Sequence, residues 1–295
     1  MTKCTEMVKT INLMVFADPP LPCGGMTDAT ALLAAYDSQL RSDAETPSAI
    51  AVTRLGSLRL VTFARGRGFV TYRDLGGADA QEIHRLVGEA LLHYRADPAI
   101  THVEWKSRGH DLAPGLHEAL LAHGFEPDPP ESIMIGEARL LVADVPLPEG
   151  VTMRTIREPQ EVARMCAMQA EVFGDLDPDP MTQSLLERLA RDDGMSLWIA
   201  EADGELITAG RLEPVAGTAF AGIWGGATRP AWRGKGIYRA LTAARAREAL
   251  ALGKTLIHSD STDFSRPILE ASGMVKVSTT TPYNWQRPTA RGVTP

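Results

Sequence analysis

The spacing of apolar residues predicts the same order of elements twice along the chain. Apolar residues recur every three or four positions in predicted helices and at alternating positions, or in continuous runs, in predicted strands. In the first half the pattern predicts helices over 27–41, 79–95 and 113–123 and strands over 49–56, 58–65, 68–74 and 101–107. In the second half it predicts strands over 151–156, 196–202, 205–213, 218–228, 254–260 and 274–287, and helices over 159–173, 181–191, 237–252 and 264–272.

The two halves are separated by a linker over 144–150, where two prolines and a glycine lie between apolar segments. Both halves also contain a helix that ends at a glycine followed by an apolar residue, Gly124-Phe125 and Gly273-Met274. We therefore expect two related α/β domains, over 26–143 and 151–288. Residues 1–25 contain several prolines and glycines and are expected to form a loose leader; residues 289–295 form a tail.

Composition narrows the class of protein. The 295 residues carry a formal net charge of −7, with 44% hydrophobic and 23% charged residues, as in a globular protein. The negative charge argues against nucleic acid or an anionic membrane as the main partner. The three cysteines, Cys4, Cys23 and Cys166, share no metal-ligand spacing, which indicates a reduced compartment and therefore the cytoplasm. No apolar run approaches the ~20 residues that a membrane span needs.

A basic, glycine-rich turn over 233–238 contains the strongest functional signal. It lies between the apolar run 219–227 and the helix that begins near Ile237. Glycines at 234 and 236 allow backbone N–H groups to point inward, and the helix directs its partial positive end to the same place. Arg233 and Lys235 add positive charge. The turn is suited to a diphosphate; the alternative is an ordinary strand–helix turn with solvated basic residues.

The segment Arg233-Gly-Lys-Gly-Ile-Tyr238 resembles the Arg/Gln-x-x-Gly-x-Gly/Ala acyl-CoA signature of GCN5-related N-acetyltransferases (GNATs). The resemblance implies an α/β fold of two tandem GNAT-like domains, each a mixed, mostly antiparallel sheet flanked by helices. It also implies acetyl-CoA as cosubstrate, without a metal. The pyrophosphate would lie on the N–H groups of 234–238, and pantetheine along the splayed end of the preceding strand. The implied cofactor-binding residues are Ala227, Thr228, Arg233, Gly234, Lys235, Gly236, Ile237 and Tyr238.

Three positions depart from the family pattern. Tyr238 stands where the family prefers Gly or Ala, and we expect its ring to cover the cofactor. Thr262 stands near the place of a frequent Asn. Leu269 stands where the family often has a tyrosine that serves as general acid, so the usual proton donor is missing here; CoA binding does not depend on that residue.

The matching turn of the first half, Asp74-Leu-Gly-Gly-Ala-Asp-Ala80, carries two acids and no base. Carboxylates there would repel a diphosphate. We therefore expect the first half to be a degenerate copy without CoA, to form one wall of the acceptor cleft, and to leave one CoA per chain.

Acyl transfer to an amine requires a proton acceptor near the thioester. His258 and Asp260 alternate on one face of a predicted strand beside the presumed thioester channel, and Glu213 ends a neighbouring strand. These three are the candidate catalytic residues. The alternatives are a hydrogen-bonded core histidine, a loop cap and plain loop chemistry, respectively.

Three acids, Asp175, Asp177 and Asp179, lie between the first two helices of the second half and could hold a cationic substrate, although solvated loop is the favoured interpretation. Trp198 and Trp224 are interpreted as core residues rather than as a substrate platform.

The sequence thus predicts an acetyl-CoA-dependent N-acetyltransferase of a small-molecule amine. The alternatives are a non-catalytic acyl-CoA-binding or sensory module, or the same fold acting as an O-acyltransferase or acyl-CoA decarboxylase. A homodimer is left open, and nothing in the sequence selects the acceptor.

Overall fold

The computed structural model describes residues 28–174 and 177–288. The predicted leader 1–25, the tail 289–295 and the candidate Asp175 lie outside these residues. The helices are α1 (Ala29–Gln39), α2 (Ala80–Ala96), α3 (Leu116–Ala122), α4 (Ala138–Leu141), α5 (Pro159–Phe173), α6 (Asp179–Leu189), α7 (Ile237–Ala251) and α8 (Arg266–Ala271). The strands are β1 (Ala51–Leu55), β2 (Leu58–Phe63), β3 (Arg67–Tyr72), β4 (His102–Arg108), β5 (Glu126–Pro127), β6 (Glu131–Glu137), β7 (Val151–Ile156), β8 (Ser196–Ala202), β9 (Glu205–Pro214), β10 (Phe220–Thr228), β11 (Leu256–Ser261) and β12 (Val275–Gln286).

The strands form a single sheet in the order β1-β2-β3-β4-β12-β6-β11-β10-β9-β8-β7, with β5 paired to β12. Neighbouring strands are antiparallel except at β3–β4 and β10–β11, which are parallel. Each half thus contributes one parallel pair at the equivalent place. The predicted fold class, a mixed and mostly antiparallel sheet flanked by helices, is confirmed.

The two halves exchange strands at the centre of this sheet. β6 of the first half pairs with β11 of the second, with Ile135 opposite His258 and Ile133 opposite Asp260. β12, the last strand of the second half, lies between β6 and β4. The halves are therefore joined by continuous backbone hydrogen bonding rather than by side-chain contacts alone.

The two faces of the second-half strands are covered by different elements. One face, which carries Leu212, Ala221 and Ile257, packs against α7. We call the opposite face, which carries Glu213, Gly222 and His258 in direct register, the cleft face. It is covered by α5 and α6 at one end and by α1 of the first half at the other. The candidate site lies on this face, between these two coverings.

The first half has a separate core on the other side of its strands. Helices α2 and α3 pack over buried aromatic residues that include Trp105 and Phe125. The Tyr94 ring lies directly on Gly68, where an added Cβ would be 2.7 Å from the ring. The Tyr94 hydroxyl lies 2.9 Å from the carbonyl oxygens of Val61 and Phe69. The opposite face of β4 carries the charged residues Glu104, Lys106 and Arg108, and Lys106 reaches Asp260 on the cleft face.

Most predicted elements are confirmed with ends displaced by one to three residues. The ends of α5 match the prediction: it begins at Pro159, whose missing N–H has no helical partner to lose, and Gly174, with φ 82°, caps its C-terminal end. The sequence pattern did not predict β6 and α4. Of these two, β6 is the strand that joins the halves. None of the described helices is both long and apolar enough to cross a membrane.

Candidate functional site

The turn between β10 and α7 leaves backbone N–H groups available for a ligand. A short 3-10 turn over Pro230–Trp232 leads into Gly234 and Gly236, which have φ values of 75° and 80°. Only glycine adopts such values without strain. Gly236 is the N-cap of α7 and has no side chain to accept from the first helical N–H groups. In the described residues, the N–H groups of 234–239 donate no backbone hydrogen bond.

Two basic side chains frame the turn. Arg233 Nε donates to the Thr228 carbonyl oxygen at 3.0 Å, which ties the turn to the end of β10. The Lys235 ammonium lies 4.3 Å from the centre of the Trp232 ring, a cation–π contact that holds it beside the turn. Unpartnered N–H groups, a helix N-terminus and two positive charges fit a diphosphate. The predicted cofactor-binding residues 233–238 are thus contiguous in space.

β10 and β11 separate next to this turn. Their parallel pairing covers only Phe220–Gly222 against Leu256–His258. At the fork, Ser259 Oγ donates to the Ile223 carbonyl oxygen at 2.9 Å. Beyond it, no strand among the described residues pairs with the edge of β10 that faces β11. An extended ligand chain can enter this fork and reach the cleft face.

A β-bulge shapes β10 where it passes the fork. The register with β9 shifts between Trp224 and Ala227, and Gly225 has φ 59°. Gln169 Nε2 on α5 donates to the Gly225 carbonyl oxygen at 2.6 Å. Thr208 Oγ1 donates to the Ala227 carbonyl oxygen at 2.6 Å. The bulge therefore holds the backbone of the predicted site residues Ala227 and Thr228 in a fixed position.

Tyr238 is accommodated by a glycine. Its ring lies against Gly226, where an added Cβ would be 2.6 Å from Tyr238 Cε2. The ring thus lies between the helix start and the bulge, where a Gly or Ala would leave space. Whether it covers a bound cofactor stays a prediction.

His258 is the candidate catalytic residue closest to the fork. It is 9% exposed and surrounded edge-on by the rings of Trp224, Phe220 and Tyr36, with centroids 5.1, 5.7 and 6.5 Å away. Burial lowers the pKa of His258 to about 4, so the imidazole is neutral at pH 7. Its buried Nε2 has no hydrogen-bond partner among the described residues. This differs from a fully bonded core histidine.

Asp260 pairs with a residue of the first half. Its Oδ2 accepts from Lys106 Nζ at 2.8 Å. Burial opposes the charged carboxylate, but Lys106, together with smaller contributions from His258 and Arg108, lowers the pKa of Asp260 overall. Oδ1 is buried without a partner in the described structure. Asp260 is therefore an ionised group beside His258, and not a loop cap.

Glu213 is held by two arginines. Its carboxylate accepts from Arg188 on α6 and from Arg211 on β9, both at 2.5 Å. Burial opposes ionisation, but the two guanidinium groups lower the pKa of Glu213 below its usual value. A carboxylate held in this way takes up a proton less readily than a free one. Its role as a base stays a prediction, and the two ion pairs oppose it.

The first half supplies part of the cleft. Tyr36 on α1 reaches His258, and Lys106 on β4 reaches Asp260. Arg65, in the turn between β2 and β3, pairs with Glu187 on α6 at 2.6 Å and so bridges the two halves. Sequence reasoning missed Tyr36, Lys106 and Arg65. One usable signal existed, the alternation of Glu104, Lys106 and Arg108 along one face of β4.

The other predicted residues lie as follows. Asp177 Oδ1 accepts from the Asp179 N–H at 3.0 Å, a local loop contact. Trp224 contacts His258 on the cleft face. Trp198 lies on the opposite face, where its Nε1 donates to Glu248 at 2.6 Å.

Leu269 is fully buried in the core under α7. Among the described residues, no group of three or more His, Cys, Asp or Glu side chains is arranged to hold a metal ion.

Comparisons with known proteins agree with this geometry. Residues 162–267 match the model of the Acetyltransferase (GNAT) family. A GCN5-related N-acetyltransferase from Kribbella flavida has 15% identity and a TM-score of 0.62, over 90% of this chain and 97% of that chain. A GCN5-related N-acetyltransferase from Sphaerobacter thermophilus has 16% identity and a TM-score of 0.58, over 79% and 78%. A tandem GNAT protein from the clavulanic acid biosynthesis pathway has 14% identity and a TM-score of 0.56, over 89% and 97%.

A search of curated protein sequences gives no match. The family match and the shared fold confirm the resemblance predicted from the turn at 233–238, and the family is one of acyltransferases.

Proposed function

We propose that this chain, whose second half carries a GNAT acetyltransferase domain, is an acetyl-CoA-dependent N-acetyltransferase of a small-molecule amine. One observation carries the proposal. The turn with free N–H groups between Arg233 and Tyr238 lies directly beside the fork between β10 and β11. When the diphosphate is bound on the turn, the fork is open to the pantetheine arm. The acyl group at the end of that arm then reaches the cleft face.

The reaction is direct transfer. The amine nitrogen bonds to the acetyl carbonyl carbon, the carbon–sulfur bond breaks, the amine loses a proton and the sulfur takes one up. The bulge of β10 positions the N–H groups near Ala227 and Thr228, which we propose as donors to the carbonyl oxygen. Such donors act where negative charge develops.

His258 is the proposed proton acceptor. It is neutral at pH 7, so a ring nitrogen is free to accept the amine proton, directly or through water. The carboxylate of Asp260 stabilises the imidazolium that results, because it opposes the effect of burial on the pKa of His258. Lys106 keeps Asp260 in place and ionised.

Isothermal titration with acetyl-CoA and a product assay test this function. We expect binding in the micromolar range, one site per chain, and an amine product whose mass increases by one acetyl group. Replacing His258 with Gln should lower kcat by about 100-fold, with the affinity for acetyl-CoA unchanged. Absence of acetyl-CoA binding below millimolar concentration would overturn the proposal.

A second candidate is a non-catalytic acyl-CoA-binding module. It is favoured by Leu269, which is buried in the core where the family often places a proton-donating tyrosine. Tight CoA binding without acetylated product, over a broad set of amines, would select this candidate. An acetylated alcohol, or loss of carbon dioxide from a carboxylated acyl-CoA, would instead indicate the O-acyltransferase or decarboxylase alternative.

We place the protein in the cytoplasm, with a small molecule as substrate and without nucleic acid or membrane as partner. A homodimer is compatible with it, and size-exclusion chromatography with light scattering measures that directly.

A further inference from the structure

The end of the cleft supplied by the first half contains more carboxylates than cations. We call Glu45, Glu104, Glu131 and Asp260 the carboxylate cluster. Lys106 lies among them, with its Nζ 2.8 Å from Asp260 and 3.9 Å from Glu45. The cluster brings together residues from the segment after α1 and from strands β4, β6 and β11.

Two members of the cluster are neutralised by the protein. Glu45 pairs with Arg108 and accepts from Thr71 Oγ1 at 2.7 Å. Asp260 pairs with Lys106 through Oδ2. Its Oδ1 remains buried and unpartnered within the described structure, on a side chain that is only 10% exposed.

The other two carboxylates are less fully neutralised than Glu45 and Asp260. Glu104 forms an ion pair with Arg67 at 3.7 Å, but the arginine side chain is 57% exposed, so water screens the attraction. Glu131 makes no ion pair with any described residue. Both are partly buried, so water screens them less than it screens a surface carboxylate.

The strand register places these carboxylates on the cleft face beside the proposed reaction centre. Asp260 is two residues from His258, about 7 Å along the same strand and on the same face. Ile133 lies opposite Asp260, and Glu131 is two residues from Ile133 on that face. Thr280 of β12 lies between strands β6 and β4, opposite Glu131 on one side and opposite Arg108 on the other.

The electrostatics of the cluster agree with an excess of negative charge. Burial raises the pKa of Glu104, and Glu45 and Asp128 raise it further. Burial also raises the pKa of Glu131, with a further contribution from Asp260. Lys106 lowers the pKa of both carboxyls, and Arg67 also lowers that of Glu104, but the net shift is upward for both. A second cation in the cleft would relieve this repulsion.

We propose that the carboxylate cluster binds a positively charged group of the acceptor other than the amine that is acetylated. The substrate class is then a small molecule with two cationic centres, such as a diamine, rather than a monoamine or an amino acid. This inference rests on the proposed function, because it concerns the acceptor of that same site. It assigns Asp260 Oδ1, Glu104 and Glu131 to substrate recognition.

Three acceptors of equal chain length test it, namely cadaverine, pentylamine and aminovalerate, each assayed with acetyl-CoA. We expect kcat/KM for cadaverine to exceed that for pentylamine by about tenfold or more, and aminovalerate to be the poorest. Glu131→Gln and Glu104→Gln should reduce the preference for cadaverine to about threefold or less, mainly through KM. The control Glu118→Gln, an exposed residue of α3, should preserve it.

Calorimetric titration with cadaverine provides a readout that does not depend on turnover. The wild type should bind cadaverine more tightly than pentylamine, and Glu131→Gln should lose that difference. Acetylation of all three acceptors at equal efficiency would overturn this inference and leave the proposed function standing. Selective cadaverine binding without any acetylation would overturn the proposed function and leave this inference standing. Equal affinity for cadaverine and pentylamine, or binding of Mg²⁺ or Ca²⁺ in place of cadaverine, would also overturn it.

Discussion

The two halves contain the same strand–turn–helix unit with opposite chemistry. In the second half, glycines at 234 and 236 have positive φ, and no side chain in the described part of the chain caps the N-terminus of α7. In the first half, Gly76 and Gly77 also have positive φ, yet Asp79 caps α2 by accepting from the Glu82 N–H at 2.9 Å. Asp74 likewise accepts from the Gly76 N–H at 2.9 Å.

The difference lies in how the N–H groups are satisfied. In the first-half turn the N–H groups of Gly76 and Glu82 donate to the turn's own carboxylates, and the charge of those carboxylates repels an anion. The second-half turn leaves its donors unpaired and places Arg233 and Lys235 beside them. Backbone geometry alone therefore does not make an anion site; the side chains decide whether the donors are used within the chain or by a ligand.

The largest expected effect comes from giving the second turn the charge of the first. The double change Arg233→Glu and Lys235→Glu should weaken acetyl-CoA binding by about 1,000-fold, because two cations beside a diphosphate become anions. Calorimetric titration measures the loss. A double change of equal charge elsewhere, Arg191→Glu and Lys276→Glu, should have little effect since both residues are exposed and away from the turn. Equal losses in the two variants would remove the distinction between the halves.

The second effect concerns His258, which is buried and neutral. Its pKa of about 4 lies below the usual 6.5, so the unfolded chain binds a proton more readily in this range. Stability should therefore fall by roughly 2 kcal/mol as the pH drops from about 6.5 to about 4.5. Denaturant titrations at several pH values measure this slope, which His258→Gln should remove. The same slope in both proteins would show that His258 is not the group responsible.

The turn could be predicted from sequence because its signals are local. Glycines, basic residues and the periodicity of α7 all occur within about four helical turns of chain. β6 could not be predicted in the same way. Its apolar run Ile133-Met-Ile135 becomes a strand by pairing with β11 and β12, which lie far away in sequence.

The cleft shows the same limit. Lys106 and Asp260 are separated by 154 positions, so no spacing rule connects them. His258 and Asp260 were identified because strand alternation places them on one face. What surrounds them depends on strand exchange between the halves.

A smaller effect is expected from the first-half turn. Asp79→Ala removes the cap of α2 and should lower the free energy of unfolding by about 1 kcal/mol. Thermal and denaturant unfolding measure it, with Asp74→Ala as a comparison that leaves the helix cap intact. Acetyl-CoA stoichiometry should stay at one per chain in both variants, because freeing N–H groups does not supply the missing positive charge. A second site in Asp79→Ala would show that the cap alone suppresses binding.

The smallest effect concerns the contact that bridges the halves across the cleft. Arg65 and Glu187 lie 2.6 Å apart, but their side chains are 40% and 55% exposed. Water screens such a pair, and the double-mutant cycle of Arg65→Ala and Glu187→Ala should give a coupling below about 0.5 kcal/mol. Since the shared sheet already joins the halves, acceptor KM should change by less than about twofold. A coupling well above that value, or a large rise in KM, would mean that this bridge, and not only the strand exchange, holds the first half against the second.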